Sequence, residues 1–230
     1  LQDVYLLDIE DTKFPFGLNL LAGGDFDDVD LARRVNRVLH TFERLFPDTH
    51  GMLLEKYLGN IAPVFFANPG YAISDILDFL GKDDFREALL KNCHNPFVNQ
   101  FWEEDFGEMT ASKKKSETES LRTRLNRFVR SSITGGIIAQ SETTIDFKKA
   151  IENKEIILVR LPMKTLPEEG KFIGTLVLAQ IHASIFAFGD MKRDQRPGFS
   201  LYVDEVQNFA NRDFTEIFTE GRKFRCRCTI

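Results

Sequence analysis

Cysteine is scarce in this sequence, which excludes a disulfide-stabilised fold. The three cysteines, Cys93, Cys226 and Cys228, form no framework, and an odd number suits a reducing compartment. A zinc site at Cys226-x-Cys228 would need a second Cys or His pair, and the neighbouring sequence offers none. Tryptophan and tyrosine are also few, with 1 Trp and 4 Tyr against 22 Phe, and we interpret the Phe excess as core filling.

Long hydrophobic runs and low-complexity tracts are absent as well. The longest apolar run, residues 172–188, is short for a bilayer and has Gln180 and His182 at its middle. It therefore predicts a helix buried against a sheet, with no membrane segment in the chain. In that setting His182 is expected to be a core histidine with a hydrogen-bond partner, in preference to a metal ligand.

A positive net charge is also missing, since the 230 residues have a formal charge of -5. This balance argues against a surface that binds nucleic acid everywhere. The charge is uneven, however, because the charged residues of segment 1–30 are mostly acidic and those of segment 112–130 are mostly basic. Any contact with DNA must therefore be local.

A phosphate-binding loop of the form Gly-x-x-x-x-Gly-Lys-Ser/Thr does not occur in the sequence. The two Gly-Lys pairs, at Gly81 and Gly170, lack both the earlier Gly and the following hydroxyl residue. The chain also begins without Met beside an apolar strand and stops within another one. Natural domains rarely start and stop within strands, so we expect an internal fragment of a longer protein.

Hydrophobic periodicity changes twice along the chain. An opening strand at Val4–Leu7 precedes five or six consecutive helices, and after residue 138 strands and helices alternate. Alternation predicts a parallel sheet covered on both faces, which the opening strand joins. The fold class is therefore α/β with an all-α insertion. The predicted parts are residues 1–28, the first part of the α/β domain; 29–138, the insertion; and 139–230, the second part.

Two adjacent carboxylates follow the predicted buried strand Phe199–Val203. Ligand sites of α/β proteins lie at the carboxyl ends of such strands, where Asp204 and Glu205 are expected. In P-loop ATPases an aspartate here holds Mg²⁺, and an adjoining glutamate polarises the attacking water. The alternative is a strand that simply leaves the core into a polar turn, and the motif alone leaves the two equally open.

Several stretches resemble the conjugative coupling-protein ATPases of type IV secretion, the TraG/TraD group of the HerA/FtsK-like P-loop superfamily. Leu201-Tyr-Val-Asp-Glu-Val-Gln-Asn-Phe209 and Phe214-Thr-Glu-Ile-Phe-Thr-Glu-Gly-Arg-Lys-Phe224 resemble their Walker B region. Val4-Tyr-Leu-Leu-Asp-Ile9 and Pro15-Phe-Gly-Leu-Asn-Leu20 resemble the segments that follow their phosphate-binding loop. The likeness covers nearly the whole chain and is least specific in the helical insertion. The phosphate-binding loop itself, and a polar residue expected just beyond Ile230, are missing, as a fragment would predict.

The resemblance implies a partial RecA-like P-loop sheet, ATP and Mg²⁺ as cofactors, and an ATP-driven DNA translocase. Asp204 would bind nucleotide and hold Mg²⁺ through water, Glu205 would be catalytic, and Arg222 would reach a neighbouring subunit's nucleotide. It also implies a homo-hexamer, single-stranded DNA and type IV secretion components as partners. The expected location is cytoplasmic, at the inner face of the membrane through an anchor that this chain lacks. The isolated chain is expected to be inactive.

A basic helix at residues 117–131 is the second candidate interface. Leu121, Leu125, Phe128 and Val129 share one face, while the opposite arc holds Arg122, Arg124, Arg127 and Arg130. These arginines are candidates for DNA phosphate contacts. The alternative is a solvated helix face, because no aromatic residue interleaves with the arginines and acids are present.

Two other functions remain open at this stage. One is a different HerA/FtsK-like pump or a secretion-assembly ATPase of the same superfamily. The other is a non-catalytic helical binding module on a degenerate motor fold. Arg222 also has a simpler interpretation, as part of a basic helix end that complements the helix dipole.

Overall fold

A computed structural model describes residues 3–46, 51–189, 191–208 and 212–230. The protein is mixed α/β and mostly helical. It divides into two compact units, one formed by Leu1–Phe16 with Thr144–Ile230 and the other by Gly17–Thr143. The predicted insertion, residues 29–138, lies within the second unit, which we call the helical unit.

The helical unit is built from consecutive helices joined by short turns. Its α-helices are α1 (Asp28–Leu45), α2 (Gly51–Phe66), α3 (Ile76–Gly81), α4 (Asp83–Leu90), α5 (Pro96–Gln100), α6 (Ala111–Val129) and α7 (Thr134–Ile138). A 3-10 turn, Ile73–Asp75, leads into α3, and a π-helical turn, Phe101–Asp105, extends α5. The basic helix α6 starts earlier than predicted, because the Thr110 side chain accepts a hydrogen bond from the Lys113 amide and caps it there.

Aromatic side chains form the core of the helical unit. The Trp102 ring lies edge-on to Phe79 and Phe106, with centroid separations of 4.8 and 4.9 Å. The indole N–H of Trp102 donates to the carbonyl of Asn60 at 2.9 Å, which satisfies its polar atom. The Phe-rich composition thus serves packing in this unit, as the sequence predicted.

The other unit, which we call the α/β unit, contains the strands. Its elements are β1 (Val4–Asp8), α8 (Phe147–Asn153), β2 (Ile156–Arg160), α9 (Pro167–Phe186), β3 (Phe199–Tyr202), α10 (Arg212–Glu220) and β4 (Cys226–Thr229). Short 3-10 turns, Val206–Asn208 and Gly221–Phe224, flank α10. Strand β1 pairs in parallel with β2, and β3 pairs in parallel with β4.

The prediction of one sheet needs correction. Within the described residues the strands form two separate parallel pairs, and no hydrogen-bond ladder joins β2 to β3. The residues at the ends of β2 and β3 line one cavity, but the two strands have no backbone pairing with each other. The parallel strands agree with the predicted α/β class, but the RecA-like sheet stays a proposal.

Strand β2 is also less buried than the sequence predicted. Ile156 and Leu158 are 41% and 52% exposed, and their register partners Val4 and Leu6 are exposed as well. These four side chains share one face of the β1–β2 pair because side chains alternate along a strand. The opposite face is better covered, since Leu7 is buried.

The long apolar run forms α9, as predicted, although the helix begins earlier. Pro167 occupies its first turn with Glu168 and Glu169, a favoured combination at a helix start. Ten of its residues are buried, so packing accounts for the apolar sequence of this helix. Among the described helices, none is both long and apolar enough to cross a membrane.

Candidate functional site

A cavity of about 650 Å³ lies at the carboxyl ends of β2 and β3. Its walls are formed by Glu10, residues 159–165, one face of α9 and residues 201–205. Both strands belong to parallel pairs, and the carboxyl ends of parallel strands are where α/β proteins commonly bind ligands. The predicted pair Asp204 and Glu205 lies on an exposed turn at the rim of this cavity.

The strand end that presents this pair is fixed by β4. The Val203 amide donates to the Thr229 carbonyl at 3.0 Å, which extends the β3–β4 ladder to the residue before Asp204. One carboxylate oxygen of Asp204, Oδ1, accepts the Glu205 amide at 2.9 Å. Its other oxygen has no hydrogen bond within the described part of the chain and is available to a ligand.

Glu205 has an unusual backbone conformation. Its φ is 52°, in the left-handed region that non-glycine residues rarely adopt. Such a conformation costs about 1–3 kcal/mol and persists where its surroundings hold it, often at functional sites. The left-handed conformation thus lies directly after Asp204, at the end of the strand that presents the pair.

Asn208 holds the Glu205 side chain, and the sequence analysis missed it. The Asn208 amide nitrogen Nδ2 donates to Oε2 of Glu205 at 3.3 Å, and its backbone N–H donates to the Glu205 carbonyl at 3.0 Å. Both bonds close the 3-10 turn Val206–Asn208. The available signal was an Asn three residues after a carboxylate, a common turn residue that is not specific by itself.

An ion-pair cluster stands on another part of the cavity wall. The Arg160 guanidinium contacts Oδ2 of Asp8 and Oε2 of Glu10, both at 2.8 Å. The second oxygen of Asp8 accepts the Glu10 amide at 3.0 Å. These two carboxylates share one guanidinium within the chain, whereas Asp204 and Glu205 have no ion pair with a basic residue in its described part. Sequence reasoning missed this cluster because 152 positions separate Asp8 from Arg160.

Arg222 is not brought near the carboxylate pair. It lines a second cavity, of about 400 Å³, together with Phe199 and Ser200 at the amino end of β3. Asp204 and Glu205 follow the carboxyl end of the same strand, about 10 Å further along. The described chain therefore does not bring Arg222 and the carboxylate pair into one cavity.

Two of the four arginines of the basic helix lie over aromatic rings. Arg124 lies over the Phe46 ring at 5.3 Å, and Arg127 lies over the Phe128 ring at 5.6 Å. Arg122 and Arg124 are half-buried, whereas Arg127 and Arg130 are exposed. The predicted apolar face is confirmed for Leu121, Leu125 and Phe128, which are buried, while Val129 is half-buried. DNA contact by this helix stays a prediction.

The described residues contain no cluster of three or more His, Cys, Asp or Glu side chains that could hold a metal ion. Burial raises the pKa of the Cys226 thiol to about 12, and it also raises the pKa of Cys228. Thiols in this state are protonated and are poor metal ligands. A single carboxylate such as Asp204 fits Mg²⁺ only when phosphate oxygens and waters complete the coordination.

His182 has the hydrogen-bonded setting that the sequence predicted. Its Nε2 lies 3.0 Å from Oε2 of Glu216, and its ring stacks on Phe186 with a centroid separation of 4.3 Å. The side chain is mostly buried, at 18% exposure. His182 therefore connects α9 to α10 and has no metal-site geometry.

The resemblance to coupling-protein ATPases depends on β3, the carboxylates after it and the Gly221-Arg222-Lys223 segment. The structure adds a cavity beside the first two of these features. Comparison with protein-family models gives no match, and comparison with curated proteins gives no significant relative.

Proposed function

We propose that this chain supplies the magnesium and water side of an ATP site in a DNA-translocating ATPase of the coupling-protein kind. The supporting observation is the pair Asp204 and Glu205, which follows a parallel strand and lines a cavity of about 650 Å³. A phosphate-binding loop, which these 230 residues do not contain, would complete the site.

Asp204 is the proposed magnesium partner. Its Oδ1 is used by the Glu205 amide, so its remaining oxygen is the one that would contact a water of the metal. When bound, Mg²⁺ supplies charge neutralisation for the phosphate oxygens of ATP. Asp204 has no ion pair with a basic residue within the described chain, so its negative charge is available for this role.

Glu205 is the proposed group that orients and polarises the attacking water. The hydrogen bond from Asn208 and the left-handed backbone restrict its carboxylate before any ligand arrives. Preorganisation of this kind lowers the reorganisation needed during the reaction. Asn208 would act as a positioning residue, since it acts through Glu205.

Arg222 is proposed to act on the nucleotide of a neighbouring subunit in a homo-hexamer. Its place at the opposite end of β3 from Glu205 supports action between chains over action within one chain. A guanidinium supplied in this way would stabilise charge on the γ-phosphate oxygens. The basic helix is proposed to contact single-stranded DNA, and type IV secretion components would be the partners of the assembly.

The test uses the protein with its phosphate-binding loop present. Glu205→Gln should keep nucleotide binding and lower ATP hydrolysis by several orders of magnitude, because the amide keeps the shape and loses the charge. Asp204→Ala should weaken Mg²⁺-dependent ATP binding itself. Glu10→Gln is the matched control, since Glu10 lines the same cavity but is paired with Arg160. Equal binding defects in the Glu205 and Asp204 variants would make the pair structural.

Mixed assemblies test the proposed role of Arg222. Subunits with Arg222→Ala and subunits with Glu205→Gln should each be inactive alone. Mixed rings should recover some hydrolysis, because some junctions then pair an intact Glu205 with an intact Arg222. Mixed rings that stay inactive after confirmed subunit exchange would refute action across the interface. If all these variants retain the protein's biological role, that role does not need ATP hydrolysis. The chain would then be the non-catalytic binding module instead.

A further inference from the structure

The cavity at the amino end of β3 has an unusual charge. It measures about 400 Å³, and its charged lining residues within the described chain are Arg222, Arg225 and Arg227. Among the residues whose side chains the structure describes, no carboxylate lines it, although the whole chain has a net charge of -5. Its remaining lining comes from the segment Gly198–Ser200 and Cys226. The lining therefore combines three guanidinium groups with a serine hydroxyl.

Arg225 is held in place by the surrounding backbone. Its Nη1 donates to the carbonyls of Asp194 and Arg196, at 3.2 and 2.9 Å. Its φ of 61° lies in the left-handed region, which costs about 1–2 kcal/mol for a residue with a side chain. The fold thus keeps a cation beside this cavity despite a backbone cost.

Arg222 and Arg227, by contrast, have no hydrogen bond or ion pair from their guanidinium groups within the described chain. Arg227 lies opposite Ser200 in the β3–β4 register, which places it on the cavity side of the ladder. The neighbouring Arg196 is different, since its guanidinium donates to the carbonyls of Met191, Lys223 and Gly189. Arg196 is thus structural, while Arg222 and Arg227 keep their donors available.

Like charges that share a cavity repel each other, and an anion between them removes that repulsion. Guanidinium groups present planar donor pairs that match the oxygens of a phosphate. We propose that the cavity of Arg222, Arg225 and Arg227 binds phosphate groups, either those of a nucleic acid backbone or those of a free nucleotide. The cavity shares Arg222 with the proposed contact between subunits, but it contains neither Asp204 nor Glu205, so its phosphate binding can be measured on the single chain without ATP hydrolysis.

The experiment measures binding to the purified 230-residue chain. A short fluorescein-labelled oligothymidylate, followed by anisotropy, probes backbone phosphates, and ATP and pyrophosphate without Mg²⁺, followed by calorimetry, probe free phosphate groups. The double variant Arg222→Gln/Arg227→Gln removes the two available cations and leaves Arg225 in place. Arg193→Gln is the matched control, because Arg193 is exposed and does not line the cavity.

The double variant should bind the responding probe at least about tenfold more weakly, because it loses two guanidinium groups that would donate charge-assisted hydrogen bonds. If the oligonucleotide responds, the slope of log affinity against log salt should fall by about 0.7 for each lost contact. If pyrophosphate and ATP bind but the oligonucleotide does not, the phosphate groups that the cavity binds are those of a free nucleotide. Asp204→Ala should leave this binding unchanged, which separates it from the proposed ATPase site.

Three outcomes would overturn the proposal. The first is wild-type protein that binds none of the three probes. The second is a double variant that retains wild-type affinity and salt slope while its circular dichroism is unchanged. The third is an equal loss in Arg193→Gln, which would indicate a general effect of net charge. A double variant that does not fold is replaced by Arg227→Lys, which keeps the charge, removes the planar fork and should weaken binding severalfold.

Discussion

Glu117 links two helices of the helical unit, and a double-mutant cycle tests that link. Its Oε2 accepts the Tyr57 hydroxyl at 2.7 Å and the Lys56 ammonium at 2.9 Å. Tyr57 is 1% exposed, so its hydroxyl has no ready access to water. The perturbations are Tyr57→Phe, Glu117→Ala and the two together.

The magnitudes follow from these contacts. Tyr57→Phe removes a hydrogen bond to a charged acceptor and should lower the free energy of unfolding by about 1.5–3 kcal/mol. Glu117→Ala removes the same bond and leaves the hydroxyl buried without an acceptor, so its cost should be about 2–4 kcal/mol. The partly exposed Lys56 pair should add less than about 1 kcal/mol. In the Glu117→Ala background, Tyr57→Phe should therefore be neutral or stabilising.

The assay is urea unfolding followed by tryptophan fluorescence. The protein has a single Trp, Trp102, and its ring lies 6.3 Å from that of Tyr57 in the same core. Its emission therefore follows the helical unit alone. Glu119→Ala is the matched control, since Glu119 is exposed on the same helix. A Tyr57→Phe cost that is equal in both backgrounds would refute the proposed coupling.

The coupling should also depend on pH in a definite direction. The hydrogen bonds from Lys56 and then Tyr57 hold the pKa of Glu117 below its ordinary value. A carboxyl group with a lowered folded pKa stabilises fully above its unfolded pKa, about 4.3, and loses that contribution as the pH falls through the folded pKa. The stability difference between wild type and Glu117→Ala should therefore shrink below about pH 4.

Three further predictions concern other parts of the chain. Burial raises the pKa of the Cys226 thiol to about 12, so almost none of it is thiolate at about pH 8. The thiol should therefore resist alkylation until the α/β unit unfolds. Mass spectrometry of the labelled protein measures this, and rapid labelling of folded protein would contradict it. Arg124→Ala with Arg127→Ala should reduce the salt slope of oligonucleotide binding by about 0.7 per contact if the basic helix touches DNA, and an unchanged slope would make it a solvated face. Asn19→Ala should destabilise the helical unit by about 3 kcal/mol or more. The Asn19 side chain donates to the Tyr71 and Ser141 carbonyls and accepts the Leu21 amide, and all three bonds would be lost. A change below about 1 kcal/mol in the urea transition followed by Trp102 would refute this.

Local sequence patterns predicted the elements of this protein better than their connections. The carboxylates after β3 were predictable, because an apolar run followed by Asp-Glu indicates a strand end and its ligand edge. The Arg160–Asp8 contact was not, since it joins residues that 152 positions separate. Hydrophobic periodicity gives the direction of a side chain but not the strand that lies beside it. That limit also explains why one sheet was predicted where β1–β2 and β3–β4 form separate pairs.

The positions of single polar residues were equally difficult to predict. Asn208 is one of many turn-forming residues in the sequence, and only the positive φ of Glu205 shows why an amide is useful there. Arg222, Arg225 and Arg227 could be read as a basic helix end, because sequence alone does not show that a cavity lies beside them. In both cases the deciding information is three-dimensional proximity.

The left-handed backbone of Glu205 has a consequence for laboratory evolution. A glycine at this position would remove a conformational cost of about 1–2 kcal/mol, and part of that gain would survive the greater freedom of glycine in the unfolded chain. A library selected only for thermal resistance should therefore enrich Glu205→Gly. Under the proposed function, a library of a protein that also contains the phosphate-binding loop, selected for ATP turnover, should discard it. Opposite enrichment of Glu205→Gly in the two libraries would show that Glu205 is retained for activity and not for stability.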